Sequence, residues 1–199
     1  VPIHVRSSFS GREGTLVTDA PIEGEGQMEQ PIISGVAHDR SEAKITVVGV
    51  PDVPGTAASI FEVVAAAGAN IDMIVQNVSA AKTGLTDISF TLPASDGAKA
   101  TAALKAVQPT LKYESLQYDD TIGKLSLIGA GMKSHPGVSA KLFGALRDAG
   151  INIEMISTSE IRVSVVTRAD QLDDAVRAVH TAFGLDAEDE AIVYGGTGR

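Results

Sequence analysis

The side chains able to do chemistry are few and scattered. The chain has no cysteine and four histidines, His4, His38, His135 and His180. Without cysteine there is no thiolate nucleophile, no thiolate metal ligand and no disulfide. The histidines show no ligand spacing, so no zinc centre is expected. Gly129-Ala-Gly131-Met-Lys133-Ser134 approaches the end of a phosphate-binding loop. Met132, however, stands where that loop needs a glycine before its lysine, and the related segment Gly49-Val-Pro51 keeps nothing of the pattern. The expectation is therefore no catalytic residue and no metal.

What remains suits binding. Pro54-Gly55 precedes an apolar-periodic segment, so a helix N-terminus there offers free N–H groups and a partial positive charge. Asn70 opens the next strand and is expected to lie close to that turn. Such donors suit a carboxylate, while acidic residues such as Asp52 or Asp72 suit an ammonium. A free amino acid carries both groups at fixed separation. The structural alternatives stay open: Asp52 as a helix cap, and Asn70 as a left-handed residue after Gly68.

These residues belong to a stretch present twice. Residues 54–76 return as 136–158, 82 positions on and without a gap. Pro54/Pro136, Gly55/Gly137, Phe61/Phe143, Gly68/Gly150, Asn70/Asn152, Ile71/Ile153 and Met73/Met155 match. The likeness extends backwards at an offset of 80, through Asp39/Asp119, Lys44/Lys124 and Gly49/Gly129. Each copy is thus preceded by strand, acidic turn, strand.

Ile45 and Val47 alternate with Thr46 and Val48, as Leu125 and Leu127 do with Ser126 and Ile128, which marks a two-faced strand. Proline is expected at the first helical position. The helix then carries a stripe of Ile60, Phe61, Val64 and Ala67, repeated as Leu142, Phe143, Leu146 and Ala149, and stops at Gly68 or Gly150. A third strand carries Ile88, Phe90 and Leu92, or Ile161, Val163 and Val165. The hairpin before it is longer in the first copy, by Ser79 to Leu85. Second helices carry Ala103, Leu104 and Val107, or Leu172, Val176, Val179 and Phe183. Leu111 to Tyr118 closes the first copy, with Ala191 to Tyr194 as counterpart. The order β-α-β-β-α-β, twice, predicts an α+β fold of two ferredoxin-like sandwiches in tandem.

The formal charge of −9, with no basic stripe, argues against a nucleic-acid partner. No apolar run approaches the roughly 20 residues needed to span a bilayer, so no membrane partner is expected. Absence of cysteine makes a cytoplasmic setting the default expectation. Residues 1–30 open with a plausible strand, Val1 to Arg6, and continue as a polar stretch with little to bury. A first residue other than Met leads to the expectation of a fragment or processed product, with Met28 a candidate internal start. The C-terminal Gly-Gly-Thr-Gly-Arg reads as a frayed tail.

Asp52-Val-Pro-Gly followed by Asn70-Ile-Asp resembles an ACT domain, the amino-acid-sensing ferredoxin-like module. Val75-Gln-Asn-Val-Ser79, Thr86-Asp-Ile-Ser-Phe90, Gly129-Ala-Gly-Met, His135-Pro-Gly-Val and Ile156-Ser-Thr-Ser-Glu-Ile-Arg-Val-Ser164 resemble the regulatory region of aspartokinase. Val1 to Phe9 resembles the last stretch of that family's kinase domain, whose lysine-and-glycine motif and aspartate-binding residues are absent. The resemblance implies residues 1–30 as kinase end or linker, 41–118 as the first ACT domain and 119–199 as the second, and the offset-80 match to Tyr113–Asp119 predicts that a strand at 31–39 completes the second. It implies a chain catalytically inert alone that takes amino-acid effectors rather than a cofactor: threonine, with lysine second, in feedback control of aspartate phosphorylation. The effector pocket carried over is Asp52, Gly55, Ala57, Asn70, Ile71, Asp72 and Gln76, faced by Asn152, Ile153, Thr158 and Ser159 of a second chain. Val138, Ser139 and Glu160 fall at the lysine-associated position. Lys133-Ser-His135 replaces the acidic turn of the first copy, so the two copies are unequal. The implied partners are a second copy, in a homodimer through ACT1–ACT2 contacts between chains, and the aspartokinase catalytic α subunit. The rivals are an ACT-type sensor serving another enzyme, a pure dimerisation module and a small ferredoxin-like catalyst.

Overall fold

The structure, a computed structural model, describes residues 3–5, 15–17, 32–77, 83–130, 132, 135 and 137–186. The chain divides into Val1–Gln30 and Pro31–Arg199. In the first unit the strand expected over Val1 to Arg6 forms as β1 (Ile3–Val5) and pairs antiparallel with β2 (Thr15–Val17), a partner that the polar composition of this stretch did not announce.

In the second unit the alternation near residue 45 does form a strand. In β4 (Glu42–Pro51), Ala43, Ile45 and Val47 are buried on one face while Lys44, Thr46 and Val48 line the other. It is followed by α1 (Thr56–Ala66), β5 (Ile74–Gln76), β6 (Leu85–Pro93), α2 (Ala94–Leu111) and β7 (Ser115–Asp119). The strands form an antiparallel sheet in the order β5-β6-β4-β7. Its core joins Ile45, Val47, Ile88, Phe90 and Leu92 to Ile60, Val64 and Leu104 from the helices. Phe61 meets the Phe90 ring edge-on, with centroids 5.6 Å apart.

The second copy runs β8 (Ile122–Ala130), α3 (Val138–Asp148), β9 (Met155–Thr158), β10 (Arg162–Arg168) and α4 (Leu172–Ala182). The edge of its sheet is β3 (Ile32–Asp39), and the order is β3-β8-β10-β9. β3 therefore stands to β8 as β7 stands to β4. Each fourth strand leads directly into the first strand of the other sheet, through Asp39-Arg-Ser41 or Asp119-Asp-Thr121. This exchange is why the likeness at offset 80 begins before each copy. In both turns the aspartate Oδ1 accepts the N–H and Oγ–H two residues on. Asp119 also accepts from Arg168 Nη1 of β10 at 2.6 Å. Burial opposes ionisation of Asp119, but the Thr121 bonds and the guanidinium outweigh it and hold its pKa at about 2.

Several local expectations needed correction. Pro54 is not the first helical residue. Gly55 is the N-cap of α1, at φ 96° in the left-handed region, and Gly137 does the same for α3 at φ 109°. That conformation costs a residue with a Cβ roughly 1–2 kcal/mol, which explains a glycine at both positions. Both helices stop as expected: Ala69 N–H reaches Val64 O and Ile151 N–H reaches Leu146 O, each closing the turn around glycine. The closing strand of the first copy starts later than expected, because α2 runs to Leu111 and Lys112 is left-handed at φ 57°. Tyr113 is a core residue instead, donating its hydroxyl to Leu104 O at 2.9 Å. Ile161 precedes β10 and is 62% exposed rather than inward-facing. Pro136, part of the Ser79–Leu85 insertion, Ala191 to Tyr194 and the C-terminal tail lie outside the described residues.

Candidate functional site

α1 starts beside the end of β4 and finishes 11 residues later, a rise of roughly 16 Å at 1.5 Å per residue. The residues singled out in the first copy consequently fall at two opposite ends of the sandwich. This corrects the expectation that Asn70 lies beside the Pro54-Gly55 turn: a helix that returns the chain delivers it to the far edge of the sheet.

At one end are Asp52, Gly55, Ala57 and Gln76. The turn is fixed by backbone bonds, with Asp52 N–H to Gly84 O at 2.8 Å and Val53 N–H to Pro51 O at 2.9 Å. Thr56 gives its N–H and hydroxyl to Val53 O. Asp52 is exposed and does not cap the helix, since no side chain does. Ser59 N–H is the first to find an intrahelical acceptor, Gly55 O at 3.0 Å, so the N–H groups of Ala57 and Ala58 point out of the helix end. Gln76 ends β5 opposite Ile88 and is exposed.

The equivalent end of the second copy forms a cleft of about 400 Å³ lined by Met132, His135, Gly137, Ser139, Thr158, Ser159, Glu160 and Val163. Four residues singled out from sequence, Ser139, Thr158, Ser159 and Glu160, meet here within one chain, with Val138 buried at the helix start. Lys141 N–H bonds Gly137 O at 2.8 Å, leaving the N–H groups of Val138, Ser139 and Ala140 as the helix-end donors. Ser159 is anchored by its N–H to Arg162 O at 2.7 Å. Met132, His135, Gly137 and Val163 were not among the residues assigned to a pocket. The signal was present for Gly137, which matches Gly55 at offset 82, as Ser139 matches Ala57 and Thr158 matches Gln76.

At the far end lie Asn70-Ile71-Asp72 and Asn152-Ile153. Asn70 and Asn152 are exposed, whereas Ile71 and Ile153 pack on their respective cores. Asn152 and Ile153 line a shallow hollow with Phe143, Arg147, Gly150 and Ile151. The Asp72 carboxylate is already engaged, by Lys124 Nζ at 2.8 Å and Arg162 Nη2 at 3.7 Å. Lys124 loses hydration at that position, yet the bonds to Asp72 and Glu42 raise its pKa above the ordinary lysine value. Among the described residues no group of three or more metal-ligating side chains is placed to hold an ion, and no helix is long and apolar enough to cross a membrane.

The class of protein that this topology defines is a tandem of ferredoxin-like domains. The family model described as "ACT domain" matches residues 45–108 and 125–183, one stretch in each copy. Aspartokinase of Mycolicibacterium smegmatis is 57% identical over 199 residues, which are all of this chain and 47% of that protein. The regulatory subunit of aspartate kinase from Thermus thermophilus, solved in a ligand-free form, is 39% identical with a TM-score of 0.72, covering 76% of this chain and 99% of its own. A chain in the structure of aspartokinase alpha and beta subunits is 45% identical, with a TM-score of 0.71 and the same coverage. The chain belongs to the ACT domain family, as an aspartokinase regulatory region. It spans about half the length of the curated relatives it matches.

Proposed function

We propose that this chain is the allosteric regulatory part of an aspartokinase, binding threonine, with lysine as a second effector, and transmitting feedback inhibition to aspartate phosphorylation carried out elsewhere. The observation that carries the reading is the pair of equivalent helix-end sites. In the second copy, helix N–H donors at Val138 to Ala140 and the carboxylate of Glu160 border one cleft. They suit the carboxylate and ammonium of an amino acid respectively. In the first copy the same roles fall to the N–H groups of Ala57 and Ala58 and to Asp52, with Gln76 beside them. Asn70, Ile71 and Asp72 stand apart from this end, so the effector pocket narrows to Asp52, Gly55, Ala57 and Gln76. Thr158 and Ser159 face it from a second chain, while Asn152 and Ile153 contribute to the surface between chains. The second position is Val138, Ser139 and Glu160.

A homodimer fits the free sheet edges. Among the described residues β5 and β9 each have one unpaired edge, and each carries an exposed isoleucine at the equivalent place, Ile74 and Ile156, 51% and 43% exposed. Pairing β5 of one chain with β9 of the next covers both edges and encloses the helix-end sites. Effector in that interface stabilises it by mass action. A coupling of about 1–3 kcal/mol gives roughly 5–150-fold inhibition of an attached catalytic α subunit. The test is titration calorimetry of the chain with threonine, lysine, methionine and isoleucine. Heat with threonine, weakened in Asp52→Ala, supports the reading. A pure dimerisation module gives none with any of the four.

A further inference from the structure

The two copies meet through residues that are themselves equivalent. Lys44 of β4 pairs with Glu154, just before β9, while Lys124 of β8 pairs with Asp72, just before β5, at 2.8 Å. Lys44 and Lys124 are 80 positions apart, and Asp72 and Glu154 are 82 apart. Each copy therefore reaches the other's carboxylate with its own lysine. Met73, Met155, Ile122 and Val166 form an apolar cluster of their own that joins the two copies, with Val75 packed against it. Met73 is 1% exposed and Met155 6%. Both pairs have further partners: Glu42 on Lys124 and Arg162 on Asp72 at 3.7 Å in one, Arg168 on Glu154 at 3.5 Å in the other. The side chains of Lys44, Glu154 and Lys124 are largely buried, at 20%, 17% and 12% exposed, while that of Asp72 is 32% exposed.

The strands that leave this junction are short and lead straight to the helix-end sites. Asp72-Met73 continues as β5, which ends at Gln76. Glu154-Met155 continues as β9, which ends at Thr158 beside Ser159. Their entries are held alike, with Asp72 N–H on Thr91 O and Glu154 N–H on Val166 O.

We infer that this junction is a two-armed clasp that couples the two helix-end sites within one chain, each arm fixing the start of the strand that carries the other copy's site residues. The clasp needs no ligand. Its role in signalling rests on the effector reading above. A strand three or four residues long, fixed at its start, moves as a piece. A shift at Gln76 therefore reaches Met73 and Asp72, then Lys124 and the apolar cluster, then Glu154 and β9.

The experiment is hydrogen exchange on the full chain, following Ile74–Gln76 and Met155–Thr158, in the wild type, Lys44→Met, Glu154→Gln, the double variant and Lys44→Arg. Among the described residues the Lys44 ammonium bonds Glu154, with no hydrogen bond or ion pair to β5 or to Asp72. The clasp predicts that Lys44→Met speeds exchange roughly tenfold in β9 and, to a similar degree, in β5, as expected for loss of one charge-assisted bond. The double variant should be no faster than Lys44→Met alone, and Lys44→Arg should stay near wild type. Acceleration confined to β9, or additive effects in the double variant, overturns the clasp. A Lys44→Met chain that does not fold leaves Glu154→Gln to decide by the same comparison. Saturating threonine should slow exchange in both strands of the wild type, since the proposed pocket is lined by Gln76 at the end of β5 and Thr158 at the end of β9. If threonine alters neither strand in the wild type, the effector reading fails, while the clasp is still judged by the ligand-free data.

Discussion

Asp119→Asn tests the bonding between the two sheets with a change of charge alone. Asparagine keeps the Oδ1 acceptor that holds Thr121, so the turn between β7 and β8 survives, while the charge facing Arg168 of β10 is lost. The native pKa of about 2 against a reference of 3.8 sets a ceiling of roughly 2.5 kcal/mol at neutral pH. Arg168 is 41% exposed, and solvent screening reduces this to about 1–2 kcal/mol. The sign follows from a depressed folded-state pKa. The stabilisation is fully present above about pH 4 and fades as pH falls toward 2. Urea unfolding of wild type and variant at pH 7, 4 and 2.5 measures it. The midpoints should differ by that amount at pH 7 and by about a third of it at pH 2.5, where the native carboxylate is still mostly ionised. A gap that is absent at pH 7, or that persists unchanged at pH 2.5, refutes the argument.

Three further outcomes follow from the same geometry. Gly137→Ala has open space for its Cβ, so it should cost only the left-handed conformation, roughly 1–2 kcal/mol, read as a lower urea midpoint. Phe90→Ala empties the centre of the first core, where Phe90 is fully buried, and should cost about 3–5 kcal/mol by the same measurement. Ile74→Lys and Ile156→Lys place charge on the two free edges and should shift sedimentation toward monomer, with the chain still folded by circular dichroism.

Much of the fold was legible because the chain states it twice. Strand alternation at Ile45 and Leu125, helix stripes at Ile60 and Leu142, and glycine stops at Gly68 and Gly150 all depend on neighbours close in sequence. The ends of α2 and β7 were misplaced because Tyr113 reads as a strand residue in sequence but is held by a bond to Leu104, a tertiary contact with no local signature. The site was legible in kind and not in layout. Gly55, Ala57 and Gln76 are placed together by the turn and by strand register. Asn70 and Asp72 are adjacent to them in the motif and distant in the sandwich, since a helix of 11 residues intervenes. The partner of Asp72 could not be read either, because Lys124 lies 52 positions away in the other copy. The match of Lys44 with Lys124 held that information without saying what the lysines touch.

The measurement closest to the central claim is threonine binding to the purified chain by calorimetry, beside Asp52→Ala and Ser159→Phe. The account predicts saturable binding to the wild type and affinity reduced by roughly tenfold or more in each variant, as for loss of a charge-assisted contact or occlusion of the pocket. Saturable binding that both variants leave unchanged, or no binding of threonine by a folded wild-type chain, contradicts it.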